Sequence, residues 1–456
     1  MLKFVLLACL FGTLVPAENK VVKPGKTLKA NKKKPWTIFI FMAARNDLHP
    51  FSKMNLKQMM EVGSTDFLNI VVQLDEPGKK GTQRLYIERN NPVVLYQDAQ
   101  KLNSGDPQSV IDFVAWGAPL FPADNYALVF WDHATGGSVD PHLPRFFDPL
   151  EIFVPGFVPS MYEVERNRGL SIPLFTQSAE PITHKGICFD DTYRSYINNE
   201  GLLRIFATVE ERNILGKPWA LVDFDACLCG DTAMIDILCH YAKYMVASED
   251  VVPGTGNNYR LLFMPFLEGS LDPQAFATHI VNSYGYAYHF LTDEYTHAAI
   301  DLSRAGAVLD NLHQISGLLQ ECLNLQKGKS VKDAFGISCH RKMCTCFDDP
   351  NYKDLSHLYC NILQNLRLFQ FEDEARGERL KEELTNKLNE GMQVITNAVV
   401  CNVVGKGFSQ AKGISIYCPE ARMHSSFAKT TFAAGNEKKG RAGNGWYTFM
   451  KSYLQP

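Results

Sequence analysis

Leu221-Val222-Asp223-Phe224-Asp225-Ala226-Cys227-Leu228-Cys229-Gly230-Asp231 is the stretch on which the fold of this 456-residue chain turns. The apolar run 219–224 reads as a buried strand. It gives way to a small residue and a cysteine, and then to Ala233, Met234, Ile237, Leu238 and Tyr241 at helical spacing. Cys227 is thereby set at the carboxyl end of a strand and just before a helix, where open α/β sheets form their ligand crevices. The positive end of that helix is expected to favour a thiolate. Taken alone, Cys227 reads first as an inert buried cysteine, since free cysteine is among the most buried residue types.

A second stretch changes that balance: Tyr126-Ala127-Leu128-Val129-Phe130-Trp131-Asp132-His133-Ala134-Thr135-Gly136-Gly137. Here too an apolar strand runs out, this time into a histidine followed by small residues. A neutral imidazole can take the proton of a nearby thiol, and the small residues let backbone N–H groups approach a substrate carbonyl. A strand-end His and a strand-end Cys can meet on one edge of a parallel sheet.

The two stretches together resemble the clostripain family of cysteine peptidases, relatives of caspases, legumains and gingipains. The resemblance extends over most of the chain from Trp36 onward. It includes Trp36-Thr37-Ile38-Phe39-Ile40-Phe41-Met42-Ala43-Ala44-Arg45-Asn46-Asp47-Leu48, Trp131-Asp132-His133, and Gly186-Ile187-Cys188-Phe189-Asp190-Asp191-Thr192. Asp223-Phe224-Asp225-Ala226-Cys227, Ala247-Ser248-Glu249 with Pro253-Gly254, Gly413-Ile414-Ser415-Ile416-Tyr417 and Gly445-Trp446 complete it. The resemblance implies a caspase-like α/β fold, a mostly parallel sheet flanked by helices, and a catalytic dyad of His133 and Cys227. It also implies that Asp225, helped by the Ser248-Glu249 stretch, lines the pocket for a basic side chain. Calcium is implied only as a need of some relatives; no EF-hand-like loop is visible. One departure stands out: the family usually has Gly after the His, and Ala134 stands here, which cannot take positive φ cheaply.

The chemistry expected of such a site is acyl transfer. The Cys227 sulfur attacks a peptide carbonyl, and the imidazole protonates the leaving amine and later activates water. Backbone N–H groups at Ala134 and Cys227 are the expected oxyanion donors. Strand alternation is expected to point Asp225 to the same side as Cys227, where a carboxylate suits a Lys or Arg before the scissile bond. The competing reading of Asp225 is a helix-capping carboxylate.

Along the chain, Met1-Leu2-Lys3, the apolar run 4–14 and Val15-Pro16-Ala17 read as a cleaved export signal, residues 1–17. A lipidation box ending at Cys9 competes with it, on an unusually brief apolar run. No later segment offers about twenty uninterrupted apolar residues, so no membrane span is expected. Residues 18–34 are a Lys-rich linker or propeptide. The net charge of −3 gives no global field for nucleic acid. Strands at 37–42, 69–74, 84–88, 93–96, 126–131 and 244–247, with helices at 52–62 and 108–116, make 35–270 an α/β catalytic domain. Residues 271–456 read as a mainly helical subdomain, with helices at 273–284, 305–325, 355–368, 374–394 and 444–454 and strands at 295–301, 398–404 and 413–417.

The run 138–185, rich in Pro and bearing Phe146, Phe147, Phe153 and Phe157, has little periodicity and reads as an insertion at the site's rim. The resemblance implies that a precursor is cut there, with Arg166 and Arg168 as candidate positions; a solvated loop with two ordinary arginines is the alternative. Cys339, His340, Cys344, Cys346, His357 and Cys360 form a thiol and imidazole cluster, but the Cys-x-Cys spacing lacks a paired knuckle, so no metal is expected. Of twelve cysteines, ten remain after Cys9 and Cys227 are set aside, which permits disulfides without fixing any pairing. The expectation is an exported, monomeric cysteine endopeptidase that cleaves after Arg or Lys without a cofactor. Two rivals stand beside it: a binding protein that kept the fold, and a transpeptidase using the same acyl-enzyme.

Overall fold

The computed structural model of the chain describes residues 32–98, 102–135, 186–423 and 443–455. The expected signal segment, Cys9, most of the basic linker and the 138–185 insertion with Arg166 and Arg168 lie outside the described residues.

The chain's apolar runs assemble into one nine-stranded sheet. In chain order its strands are β1 (Lys34–Ala43), β2 (Leu68–Asp75), β3 (Thr82–Glu88), β4 (Asn91–Asp98) and β5 (Ala123–Trp131). Two small strands, β6 (Ile187–Asp190) and β7 (Ser195–Ile197), pair with each other outside it. The main sheet continues with β8 (Trp219–Asp225), β9 (Ala242–Ala247), β10 (Thr296–Asp301) and β12 (Val399–Val404), while β11 (Tyr352–Asp354) and β13 (Ser415–Tyr417) form a second two-stranded ribbon. The order across the main sheet is β12-β10-β9-β8-β5-β1-β2-β3-β4. Its five central strands, β9 to β2, are parallel, and the outer pairs on both sides are antiparallel.

The central strands are apolar on both faces because helices cover both. Along β1, Phe39, Phe41 and Ala43 pack into one core cluster, and Trp36, Ile38, Ile40 and Met42 into the other. The first layer includes the helices Pro107–Gly117, Asn199–Glu211, Thr232–Leu238 and Leu302–Leu325; the second includes His49–Val62, Tyr259–Phe263 and Pro273–Tyr288. The division drawn at residue 270 does not separate two sheets. β10 and β12 come from the C-terminal region, and they extend the catalytic sheet because β9 would otherwise leave its outer edge unpaired. Among the described residues no helix is long and apolar enough to cross a membrane.

Candidate active site

The register of β5 against β8 sets the geometry. Trp131 and Asp225 are paired across the two parallel strands, and both strands end at that pair. His133 and Cys227 each follow by two residues, so both come just beyond the carboxyl edge of the sheet, on neighbouring strands.

Beyond Trp131 the chain is held by polar anchors. The Asp132 N–H donates to the Asp225 carbonyl at 3.4 Å, and Asp132 Oδ1 accepts from Asn46 Nδ2 at 2.6 Å. Asp132 Oδ2 also accepts the Phe189 N–H, tying in the strand that follows the insertion. Arg45 adds a buried ion pair to Asp190 at 3.0 Å. His133 is buried, and its Nε2 lies 2.5 Å from Asp47 Oδ1. Burial opposes a charge on the ring, but Asp47, with Asp132 and Asp191 behind it, outweighs that and raises the imidazole to about 9. Burial likewise opposes the Asp47 carboxylate, yet His133 holds it below its usual range. The pair is therefore an imidazolium bound to a carboxylate, with Nδ1 left for proton exchange. Asp47 stands within the quoted Ala43–Leu48 turn, but sequence reasoning gave it no role; nothing in its spacing ties it to a histidine 86 residues away. Ala134 is buried, pairs with Ile187 as an isolated bridge, and does not have positive φ, so the strain expected from a missing glycine does not arise.

Cys227 differs from expectation in two ways. First, β8 stops at Asp225, so strand alternation does not extend to the cysteine; the chain bends there, and Leu228 takes φ 58°. Leu228 N–H donates to the Asp250 carbonyl at 3.0 Å, and Gly230 N–H to the Ser248 carbonyl at 2.7 Å. Second, the helix begins only at Thr232, is seven residues long, and its amino end is capped by Asp231, whose carboxylate accepts from the Met234 N–H. No thiolate is favoured. Burial pushes the Cys227 thiol well above its usual value; the Val252 N–H, 3.2 Å from Sγ, works the other way, and Asp250, Asp348 and Asp225 add to the rise. The Cys227 thiol is buried and lodged against Val252.

Asp225 lies beneath the turn that carries Gly256. Its Oδ1 accepts from the Asn257 N–H at 2.9 Å and its Oδ2 from the Tyr259 hydroxyl at 2.8 Å. Burial raises it to about 7 against those two bonds. Gly256 has φ +58°, and a Cβ there would meet Asp225 Oδ1 at 2.6 Å, so this contact requires glycine. The helix-capping reading of Asp225 is excluded, because Asp231 does that work. Ser248 is buried and serves the backbone: its Oγ lies 2.9 Å from Thr296 Oγ1 and accepts from the Asp250 N–H. Glu249 is buried with Oε2 on the Gly413 N–H at 2.9 Å and Asp354 close by, and burial raises it well above its usual range. It is not among the largest influences on the Cys227 thiol. Its neighbour Asp250 is: burial raises that carboxyl to about 7, and Oδ1 accepts from the Asp348 N–H at 2.8 Å. Sequence reasoning passed over Asp250, one residue beyond the quoted Ala247–Glu249. Among the described residues neither Asp225 nor Asp250 has an ion-pair partner.

Among the described residues no group of three or more His, Cys, Asp or Glu side chains is arranged to hold a metal. His357 Nδ1 lies 2.8 Å from Thr345 Oγ1, and the described cysteines are free thiols.

The sequence profile of the clostripain family matches residues 40–142 and 175–439. No curated protein matches the sequence. Among solved structures, the chain is similar to a secreted cysteine protease from Bacteroides thetaiotaomicron in complex with an irreversible peptide inhibitor. The TM-score is 0.56 at 16% identity, covering 91% of this chain and 98% of that one. It is also similar to an inactive zymogen protease from Parabacteroides distasonis, with TM-score 0.53 at 15% identity, covering 93% of this chain and 99% of that one. At such identities the structural likeness concerns the fold. The profile match extends over most of the sequence, and with it this chain belongs to the clostripain family of cysteine proteases.

Proposed function

We propose that the chain is an exported endopeptidase that cleaves after Arg or Lys through Cys227 and His133, and that it is made as a precursor cut within residues 138–185. The carrying observation is a pair of buried carboxyls without cations, Asp225 and Asp250, beside a buried thiol at the strand ends. A buried carboxylate is costly when unpaired, and an arriving guanidinium or ammonium relieves that cost. With the pair one proton short, as thiolate and imidazolium, the Cys227 sulfur bonds to the substrate carbonyl carbon, the scissile C–N bond breaks, and His133 passes its proton to the leaving amine. Water activated by the imidazole then releases the acid and restores the thiol. No cofactor enters these steps.

The protonated thiol and the Asp47-bound imidazolium support the precursor reading, because attack needs one proton fewer than this pair holds. Two of the similar proteins bear on the proposal by their descriptions, one as secreted and one as an inactive zymogen. Export of this chain is proposed from the segment 1–17.

The test is hydrolysis of short peptidyl-coumarins carrying Arg, Lys, Leu or Asp before the scissile bond. Wild type is expected to cut the first two, and Cys227→Ala none. Wild-type turnover by Cys227→Ala would overturn the nucleophile, and a preference for Leu or Asp would overturn the pocket.

A further inference from the structure

Tyr284 lies on the helix Pro273–Tyr288, outside every stretch that carries the family resemblance. Its side chain is buried, yet its hydroxyl has no hydrogen-bond partner among the described residues. Leaving a buried donor and acceptor unpaired costs about 1–3 kcal/mol, so such a group calls for an explanation. The ring itself is fully engaged. It stacks on His297 with centroids 4.3 Å apart and planes 14° apart, and Tyr288 packs against it at 4.5 Å. Only the hydroxyl remains to be offered.

Tyr288, one turn further along, shows a phenol of the same helix put to structural use. Its hydroxyl donates to the Gly256 carbonyl at 2.7 Å and lies 2.6 Å from Thr255 Oγ1, holding the turn that presses on Asp225. The Tyr284 hydroxyl has no such task. After Tyr288, the groups whose charge bears on it are Asp225, Cys227 and Asp250. Burial first, and then these neighbours, push the phenol well above its ordinary value, so it stays neutral. A neutral phenol adds an acceptor to the pocket without adding a third charge beside two buried carboxyls.

We propose that the Tyr284 hydroxyl is a specificity-determining wall of the substrate pocket, accepting an N–H from the terminal cation of a Lys or Arg side chain held by Asp225 and Asp250. The assignment rests on the basic-residue reading given above. It is tested with Tyr284→Phe in the full-length mature protein, on peptidyl-coumarins with Lys, Arg or norleucine before the scissile bond. The expected result is a fall of about tenfold in kcat/KM on Lys and Arg, carried mainly by KM, with norleucine unchanged. Alkylation of Cys227 by iodoacetamide should keep its wild-type rate. The Tm should hold or rise, because the variant removes an unpaired hydroxyl. Unchanged constants on the basic substrates overturn the assignment. So does an equal loss on norleucine, or a fall of several degrees in Tm, either of which marks a structural residue. A wild type that prefers norleucine overturns the underlying reading and this assignment with it, and that failure is visible in the wild type alone.

Discussion

Trp131 and Asp225 face each other across neighbouring parallel strands, and each is the last residue of its strand. The spacing of the site follows from that pairing, since His133 and Cys227 are both two residues further on. A slip of one residue in that register would shift one strand end against the other by about 3.3 Å.

Maturation can be followed on a denaturing gel. Purified wild type is expected to appear as two fragments whose new amino terminus maps between Gly137 and Gly186, after Arg166 or Arg168. Cys227→Ala stays a single chain, and Cys239→Ala, a half-buried thiol beyond the helix, behaves as wild type. A tethered loop is presented at high effective concentration, so a modest cleavage sequence suffices. New termini elsewhere, or a fully active uncut chain, would count against self-processing.

The two carboxyls of the proposed pocket should make separable contributions. Asp225→Asn and Asp250→Asn should each lower kcat/KM on Arg and Lys substrates by the roughly 1.5–3 kcal/mol of a charged hydrogen bond, leaving apolar substrates little changed. Gly256→Ala should do the same by driving a methyl group into the Asp225 carboxyl. Glu249→Gln is expected to lower Tm without altering the ratio of basic to apolar turnover, since its partners are Gly413 and Asp354. Because Asp225 and Asp250 both titrate near 7, preference for basic residues should sharpen between pH 6 and 8. A ratio flat across that range would exclude them as the cation's partners.

Asp47 is expected to orient His133 and hold its proton. In Asp47→Asn, burial acts unopposed by that carboxylate, so the imidazole pKa should drop well below its wild-type value of about 9. A nuclear magnetic resonance titration of the ring measures this directly. Turnover should fall at least about tenfold, and by no more than the roughly 10²–10⁴ that a positioned proton-transfer group supplies. An unmoved titration would show that the 2.5 Å contact does not govern the histidine.

Stability should decline as pH rises from 6.5 to 9. His133 titrates near 6.5 in the unfolded chain and about 9 in the fold, so the folded state binds more protons across this window. Asp132, Asp223 and Glu249, all raised well above their usual ranges by burial, act in the same sense. The depressed carboxyls Asp47, Glu76 and Glu420 contribute only as pH falls below about 4.5, and the depressed His297 only below about 6.5. A melting series should therefore show a steady fall, shallower in Asp47→Asn. A Tm that climbs over this range would contradict the assignment.

The long elements were legible because their apolar spacing is decisive. β1, β5 and β8 are continuous apolar runs buried on both faces, and the helices Leu302–Leu325 and Glu374–Ala398 repeat over many turns. Short elements were not legible. β6, β7 and β11 have three or four residues each, too few for a period to show, and they exist through tertiary anchors such as Asn46 and Asp132. The helices Asn199–Glu211 and Ser330–Cys339 also went unread. The two strand ends that drew attention to His133 and Cys227 are where the sequence set them, but the residues around them were not legible. Asp47 reaches His133 from a distant segment through folding alone. The place of Cys227 relative to the helix was misread because a helix end in sequence is not yet a helix end in space: Asp231 and three other residues stand between them.

Ser415 has a bearing on when this protein can become an enzyme at all. Its N–H donates to the Gly230 carbonyl at 2.8 Å, and Gly413 N–H holds Glu249, so one late segment clasps both loops that frame Cys227. During synthesis those loops have no clasp until residue 415 has left the ribosome and folded back onto a sheet begun almost four hundred residues earlier. A nascent or truncated chain can carry the thiol and the imidazole and still lack the contacts that hold both loops around Cys227.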